Sequence, residues 1–178
     1  MNVNALFIIF IIFIFFLALW ATSNVIAIIG GSPPVDTSRA LCAEILRKAG
    51  LSKKDVLLDL GSGSGNTLIA TVKDIGATAI GYEISPFPYL LSRVRTILIR
   101  QKVRIHYASL FEADLSGATV VFIYLLPKIL RTVGVKLQQE CDPGTLIISR
   151  GFPLTNLILL RTFTAGHNKT KIFLYKIK

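Results

Sequence analysis

The residues best suited to chemistry are Asp59-Leu60-Gly61-Ser62-Gly63-Ser64-Gly65-Asn66, which follow a short apolar run and open a helical pattern. Glycines let a ligand approach the main chain, and a helix N-terminus offers free N–H groups. Further on, Gly81-Tyr82-Glu83 ends a second apolar run, and a carboxylate at that place can accept both hydroxyls of a ribose. A glycine-rich turn alone is weak evidence. Joined to the strand–turn–helix context and to the acid at the next strand end, it indicates a nucleoside-binding site. A turn with no ligand is the plainer alternative, and Asp59 opposes it, because a charged residue in a buried strand end is rare without a partner.

Two ligand classes compete for such a loop. The dinucleotide fingerprint G-x-G-x-x-G needs a third glycine three positions after the second. Here Asn66 stands at that place and Gly65 comes one residue early. Asp59, two residues before the first glycine, would set a like charge against a pyrophosphate, a repulsion on the order of a kcal/mol or more in a partly dry site. S-adenosylmethionine has no phosphate and carries an ammonium and a sulfonium. The acid suits that donor and opposes NAD, so an NAD-linked reductase is the lesser alternative.

These groups need a frame. Val56–Leu60 has the pattern of a buried parallel strand, Asn66–Ile75 of a helix and Thr78–Tyr82 of a second strand. After Pro86 and Pro88, a helix is predicted over Tyr89–Gln101. Leu90, Leu91, Val94, Ile97 and Leu98 fall on one side of it, and Arg93, Arg95 and Arg100 on the other. Strands follow at Val103–Tyr107, Thr119–Leu125 and Thr145–Ser149, with a helix from Pro127 to Glu140. Leu157–Phe163 and Lys171–Ile177 read as a closing antiparallel pair, and Ser38–Ala49 as an amphipathic helix closed by Gly50. The alternation predicts a Rossmann-like, doubly wound, mostly parallel α/β sheet with its ligand at the carboxyl ends of the strands.

The 178 residues are 52% hydrophobic and 17% charged, which excludes a disordered chain. The formal net charge is +10, and every charge lies at or beyond Asp36. Ahead of it, Ala5–Ala21 is uncharged and free of helix breakers, and with Val25–Ile29 it supplies the roughly 20 apolar residues that a bilayer crossing needs. Trp20 sits where an interfacial anchor is expected. The rival, a signal peptide, calls for a basic start and a shorter apolar run. The expected organisation is an anchor over residues 1–29, a linker over 30–38 and a catalytic domain over 39–178. Arg39, Arg47, Lys48, Lys53 and Lys54 follow the span and no Lys or Arg precedes it, so the positive-inside bias puts a single-pass protein's domain in the cytoplasm. Cys42 and Cys141 read as reduced thiols with no metal spacing.

At this point the sequence resembles a known group. DLGSGSGN with GYE is similar to the donor motifs of class I methyltransferases. The uncharged leader, SPPVDTS, GYEISPF, VVFIYLLPKIL and LQQECDPGTLIISRGFPL narrow the likeness to small membrane-anchored enzymes. These are related to the mitochondrial lysine methyltransferases that act on an ATP synthase subunit and on the adenine nucleotide translocase. The resemblance implies protein-lysine N-methylation with S-adenosylmethionine as cofactor. It implies that Asp59, Gly61, Ser62, Gly63 and Gly65 hold the methionine part of the donor, that Glu83 takes the ribose, and that Ile84 lies beside the adenine. Ser109 and Leu110 fall on the adenine-side loop. Of the family's Pro-aromatic-Val-Pro-Thr segment, Pro33, Val35 and Thr37 are kept, which places Thr37 at the substrate mouth.

Methyl transfer is an in-line displacement that needs alignment and exclusion of water, not a metal or a covalent nucleophile. A lysine acceptor must first lose a proton held with a pKa of about 10.4. Tyr124, with Pro127, would wall the acceptor channel, and its hydroxyl could orient the amine; a packed aromatic is the alternative. Arg150, Phe152 and Pro153 line the mouth or shape a turn. His106 and His167 have no visible partner and read as structural or solvated. The basic helix from Arg93 to Arg104 lacks interleaved aromatics, so no nucleic acid is expected, and an anionic lipid surface suits it better. The expected partners are the bilayer and a membrane-associated protein presenting lysine. The alternatives are an enzyme methylating a lipid or small amphiphile, and a non-catalytic adenosine-ligand-binding protein.

Overall fold

The computed structural model describes residues 3–29 and 36–178. The parts of the linker at 30–35, with Pro33 and Val35, lie outside the described residues. The chain opens with α1 (Val3–Ile29), an uncharged helix long and apolar enough to cross a membrane, whose side chains are nearly all exposed. Ser23 is its buried exception.

Next comes α2 (Arg39–Ala49), whose Ser38 hydroxyl accepts the Leu41 amide while Gly50 closes the helix in the left-handed region. The alternating part then runs β1 (Val56–Leu60), α3 (Asn66–Ala70), β2 (Thr78–Glu83), α4 (Pro86–Thr96), β3 (Val103–Tyr107), β4 (Val120–Ile123), α5 (Pro127–Glu140) and β5 (Leu146–Arg150). A π-helical turn, Thr71–Ile75, prolongs α3, so the predicted single helix has two windings. The chain ends in β6 (Leu159–Ala165) and β7 (Thr170–Lys176).

The seven strands stand in the order β3-β2-β1-β4-β5-β7-β6. β1 to β5 pair in parallel, and β7 enters antiparallel between β5 and β6. Strand order reverses between β1 and β4, which is where ligands settle in open α/β sheets. Side-chain alternation divides the core. Leu58, Leu60, Val121 and Ile123 face α5, packing on Leu130, Val133 and Leu137. Leu57, Val120 and Phe122 face α2, packing on Cys42, Ile45 and Leu46.

One helix departs from its sequence pattern. α4 begins three residues earlier than predicted, with Pro86 in its first turn, and winds into a 3-10 turn at Ile97–Ile99. Its buried side carries the small polar Ser92 and Thr96, while Leu90, Leu91, Val94, Ile97 and Leu98 point outward. The reason is close approach: a Cβ on Gly65, just before α3, would stand 3.1 Å from Ser92 Cβ, leaving no room for a leucine.

Candidate active site

The loop from β1 into α3 is pinned to the neighbouring strand. The Gly61 and Ser62 amides both donate to the Tyr82 carbonyl at 2.9 Å. The Gly63 amide donates to Glu83 Oε2 at 2.8 Å, and the Ser85 amide to Glu83 Oε1 at 2.7 Å. The carboxylate is thereby held at the end of β2, with an acceptor lone pair left on each oxygen. Gly81 supplies the close approach beneath it, since a Cβ there would lie 2.7 Å from both Leu68 Cδ1 and Ser62 Oγ.

Asp59 closes the floor and is only 3% exposed. Burial pushes its carboxyl up to about 7; a hydrogen bond from Thr67 opposes the shift, and the nearby Glu83 charge adds to it. Ser62 lines the same cleft, and its Oγ is buried beside Gly81 with no hydrogen-bond partner. The floor therefore offers a buried acid that gains from a cation. Asp36 braces the rim. Its carboxylate accepts from Ser64 Oγ at 3.0 Å and from Asn66 Nδ2 at 3.0 and 3.1 Å, while Arg95 donates to Asn66 Oδ1 at 2.6 Å. Asn66, at the place where a dinucleotide loop has glycine, serves as the hub of this network.

The cleft occupies about 1030 Å³ including its open mouth. Of the predicted residues, Thr37, Asp59, Gly61, Ser62, Gly63, Glu83 and Tyr124 line it together. The others stand outside its lining. Gly65 lies under α4, and Ile84 points outward, 45% exposed. Ser109 accepts the Phe111 amide, and Leu110 packs on the core beneath α5. Pro127 is exposed in the first turn of α5, and Phe152 packs on that same core. His106 stacks on Tyr82 with centroids 4.8 Å apart, and His167 sits in the β6–β7 turn; neither lines the cleft. Among the described residues no cluster of His, Cys, Asp or Glu could hold a metal.

Two features go beyond the sequence reading. Trp20, Ser23, Asn24 and Ala27 of α1 form one wall of the cleft, beside Phe87 and Leu91 of α4. The Phe87 amide donates to Ser23 Oγ at 2.9 Å, joining the two helices. The polar triplet Thr22-Ser23-Asn24 after the apolar run was the available signal. Opposite, Arg150 is buried, donates to the Thr37 hydroxyl and lies 4.2 Å over the Tyr124 ring. Among the described residues no carboxylate forms an ion pair with it, and its Nε has no partner.

The model of the ANTKMT methyltransferase domain matches residues 59–159, the span that contains the loop, Glu83 and Tyr124. The chain belongs to this family. A protein-lysine N-methyltransferase of Saccharolobus islandicus (strain REY15A) is 31% identical over 125 residues, covering 68% of this chain and 78% of that one. A lysine N-methyltransferase of an ATP synthase subunit, from Xenopus laevis, is 29% identical over 117 residues, covering 65% of this chain and 51% of that relative. Among solved structures, an RNA methyltransferase from Salinibacter ruber in complex with S-adenosyl-L-homocysteine superposes with a TM-score of 0.75 at 31% identity, covering 80% of this chain and 94% of its own. As a member of the ANTKMT family, the chain is an S-adenosylmethionine-dependent methyltransferase. The chemistry of the cleft fits that donor: Asp59 is a buried acid on its floor, and the Glu83 carboxylate keeps a lone pair on each oxygen after accepting the Gly63 and Ser85 amides.

Proposed function

We propose that this methyltransferase is anchored in a membrane by α1 and transfers methyl groups to a lysine of a membrane-associated protein. One observation carries the reading: the donor cleft shares a wall with the apolar helix where its run is interrupted by Thr22-Ser23-Asn24, through Trp20, Ser23, Asn24 and Ala27. A helix of 27 residues is about 40 Å long, against a hydrocarbon core of about 30 Å. If Ala5–Ala21 fills the core, the cleft opens at the bilayer surface, where the basic residues after α1 favour the cytoplasmic side. The names of the archaeal and vertebrate relatives, which are lysine methyltransferases, support the lysine substrate class.

Bound S-adenosylmethionine supplies an activated methyl on a sulfonium. In this reading Asp59 and Ser62 hold the methionine end, with Gly61 and Gly63 allowing main-chain contact, and Glu83 holds the ribose. Ile84, Ser109, Leu110, Pro127 and Phe152 stand outside the cleft lining and carry no role in this reading. The Tyr124 hydroxyl orients the incoming amine. The Arg150 charge behind the Tyr124 ring disfavours a second cation, so it promotes loss of the lysine proton before transfer. Tethering also raises the local concentration of acceptors in the same bilayer.

The test uses the full chain in native membranes with methyl-labelled donor. Label is expected in protein, on lysine, and lost with Tyr124→Ala. Label in the organic extract would support a lipid acceptor, and label in RNA would overturn the protein reading.

A further inference from the structure

The outward face of α4 is unlike that of an ordinary surface helix, which turns its apolar stripe inward. Leu90, Leu91, Val94, Ile97 and Leu98 recur at helical spacing and are 50%, 39%, 69%, 59% and 91% exposed. We infer that α4 lies in the headgroup layer of an anionic bilayer with this row immersed, making a second membrane contact beside α1. The inference rests on the membrane reading of α1 given above and adds a surface to it.

Three observations select lipid as the occupant. First, α4 is attached to α1 at Ser23, through the bond from the Phe87 amide, and Ser23 follows directly on the apolar run. If that run fills the hydrocarbon, α4 starts at the level of the headgroups. Second, the exposed row continues the apolar surface of α1, with Leu91 and Trp20 bordering the same cleft. Third, the charge is one-sided: Ile84 to Phe111 contains five Lys and Arg and no Asp or Glu. Arg93, Arg100 and Arg104 are exposed, and among the described residues none of them has a carboxylate within ion-pair distance. An apolar row flanked by unpaired arginines is the pattern of a helix lying in an anionic interface. A protein acceptor or a second copy would need acidic groups to answer those arginines, and the chain's own charge of +10 opposes self-association through this face.

The experiment uses the full chain reconstituted into phosphatidylcholine vesicles with and without phosphatidylserine. An environment-sensitive fluorophore is placed at Leu98→Cys, and at Gln139→Cys on α5 as a remote control; Cys42 and Cys141 are buried and label poorly. Trp20, the single tryptophan, reports on α1 independently. The Leu98 probe is expected to be quenched by lipids carrying a quencher near the headgroup, more strongly with phosphatidylserine, and the Gln139 probe to stay unquenched. Val94→Glu combined with Leu98→Cys should abolish the lipid quenching. Quenching of Trp20 without quenching at Leu98 would overturn the inference and leave the anchor standing. Quenching at neither site would remove the anchor as well. Protection of the Leu98 probe from both lipid and aqueous quenchers would indicate a protein occupant and overturn it.

Discussion

Asp59 should make donor binding depend on pH in a direction opposite to its effect on the empty protein. Its carboxyl is pushed up to about 7 by burial, so near neutrality the free enzyme is a mixture of protonated and ionised forms. A cation in the cleft interacts with the ionised form and draws the equilibrium toward it. If only that form binds tightly, Kd rises about tenfold between about pH 8 and about pH 6, which is about 1.4 kcal/mol. Stability of the ligand-free enzyme runs the other way. A carboxyl whose folded pKa is raised contributes stability that is present in acid and lost as pH rises through about 7. Asp59→Asn should therefore raise the melting temperature of the empty enzyme at alkaline pH while weakening donor binding there. Calorimetric titration of both proteins across the range isolates the effect, because the donor's own α-amine titrates identically in each. Equal Kd values for the two proteins at alkaline pH, or a wild-type affinity that stays level from pH 8 to pH 6, would refute the role given to this carboxylate.

Other outcomes follow from the same geometry. Glu83→Gln, which removes the charge facing the ribose, should weaken donor binding by about 1–3 kcal/mol in the same calorimetric assay. Gly81→Ala puts a Cβ 2.7 Å from Leu68 Cδ1 and should destabilise the fold by about 1–3 kcal/mol, seen as a lowered melting temperature. Tyr124→Phe should lower kcat for methyl transfer and leave donor Kd unchanged; an unaltered kcat would assign the ring to packing alone. Ser23→Ala strips the Phe87 amide of its acceptor and should cost about 1 kcal/mol in thermal unfolding, with a weaker grip on the donor.

The strands and the donor loop were legible because they rest on local rules. An apolar run ending in glycines, an acid at the next strand end and Pro127 opening a helix each dictate a conformation without reference to distant residues. Which face of α4 turns inward was not legible, for the converse reason. Its leucines have the spacing of a core stripe, and only the contact between Gly65 and Ser92, made across 27 positions of chain, decides which side turns inward. The wall built by α1 was likewise out of reach: apolar content identifies a span, but its docking is made by contacts with α4 far along the chain, the bond from the Phe87 amide among them. Arg150 was placed at the mouth by its neighbours in sequence, whereas its stacking on Tyr124 comes from two strand ends meeting in space.

The bond between Ser23 and Phe87 joins groups 64 positions apart, and this imposes an order on biogenesis. The leader emerges from the ribosome first, long before the helix that it will touch, while the sheet can form only after its last strand is made. Both partners of that bond are made before β4 to β7, so it can form ahead of the finished sheet, and a nascent chain whose leader is captured elsewhere would complete its sheet with one side of its cofactor site left open.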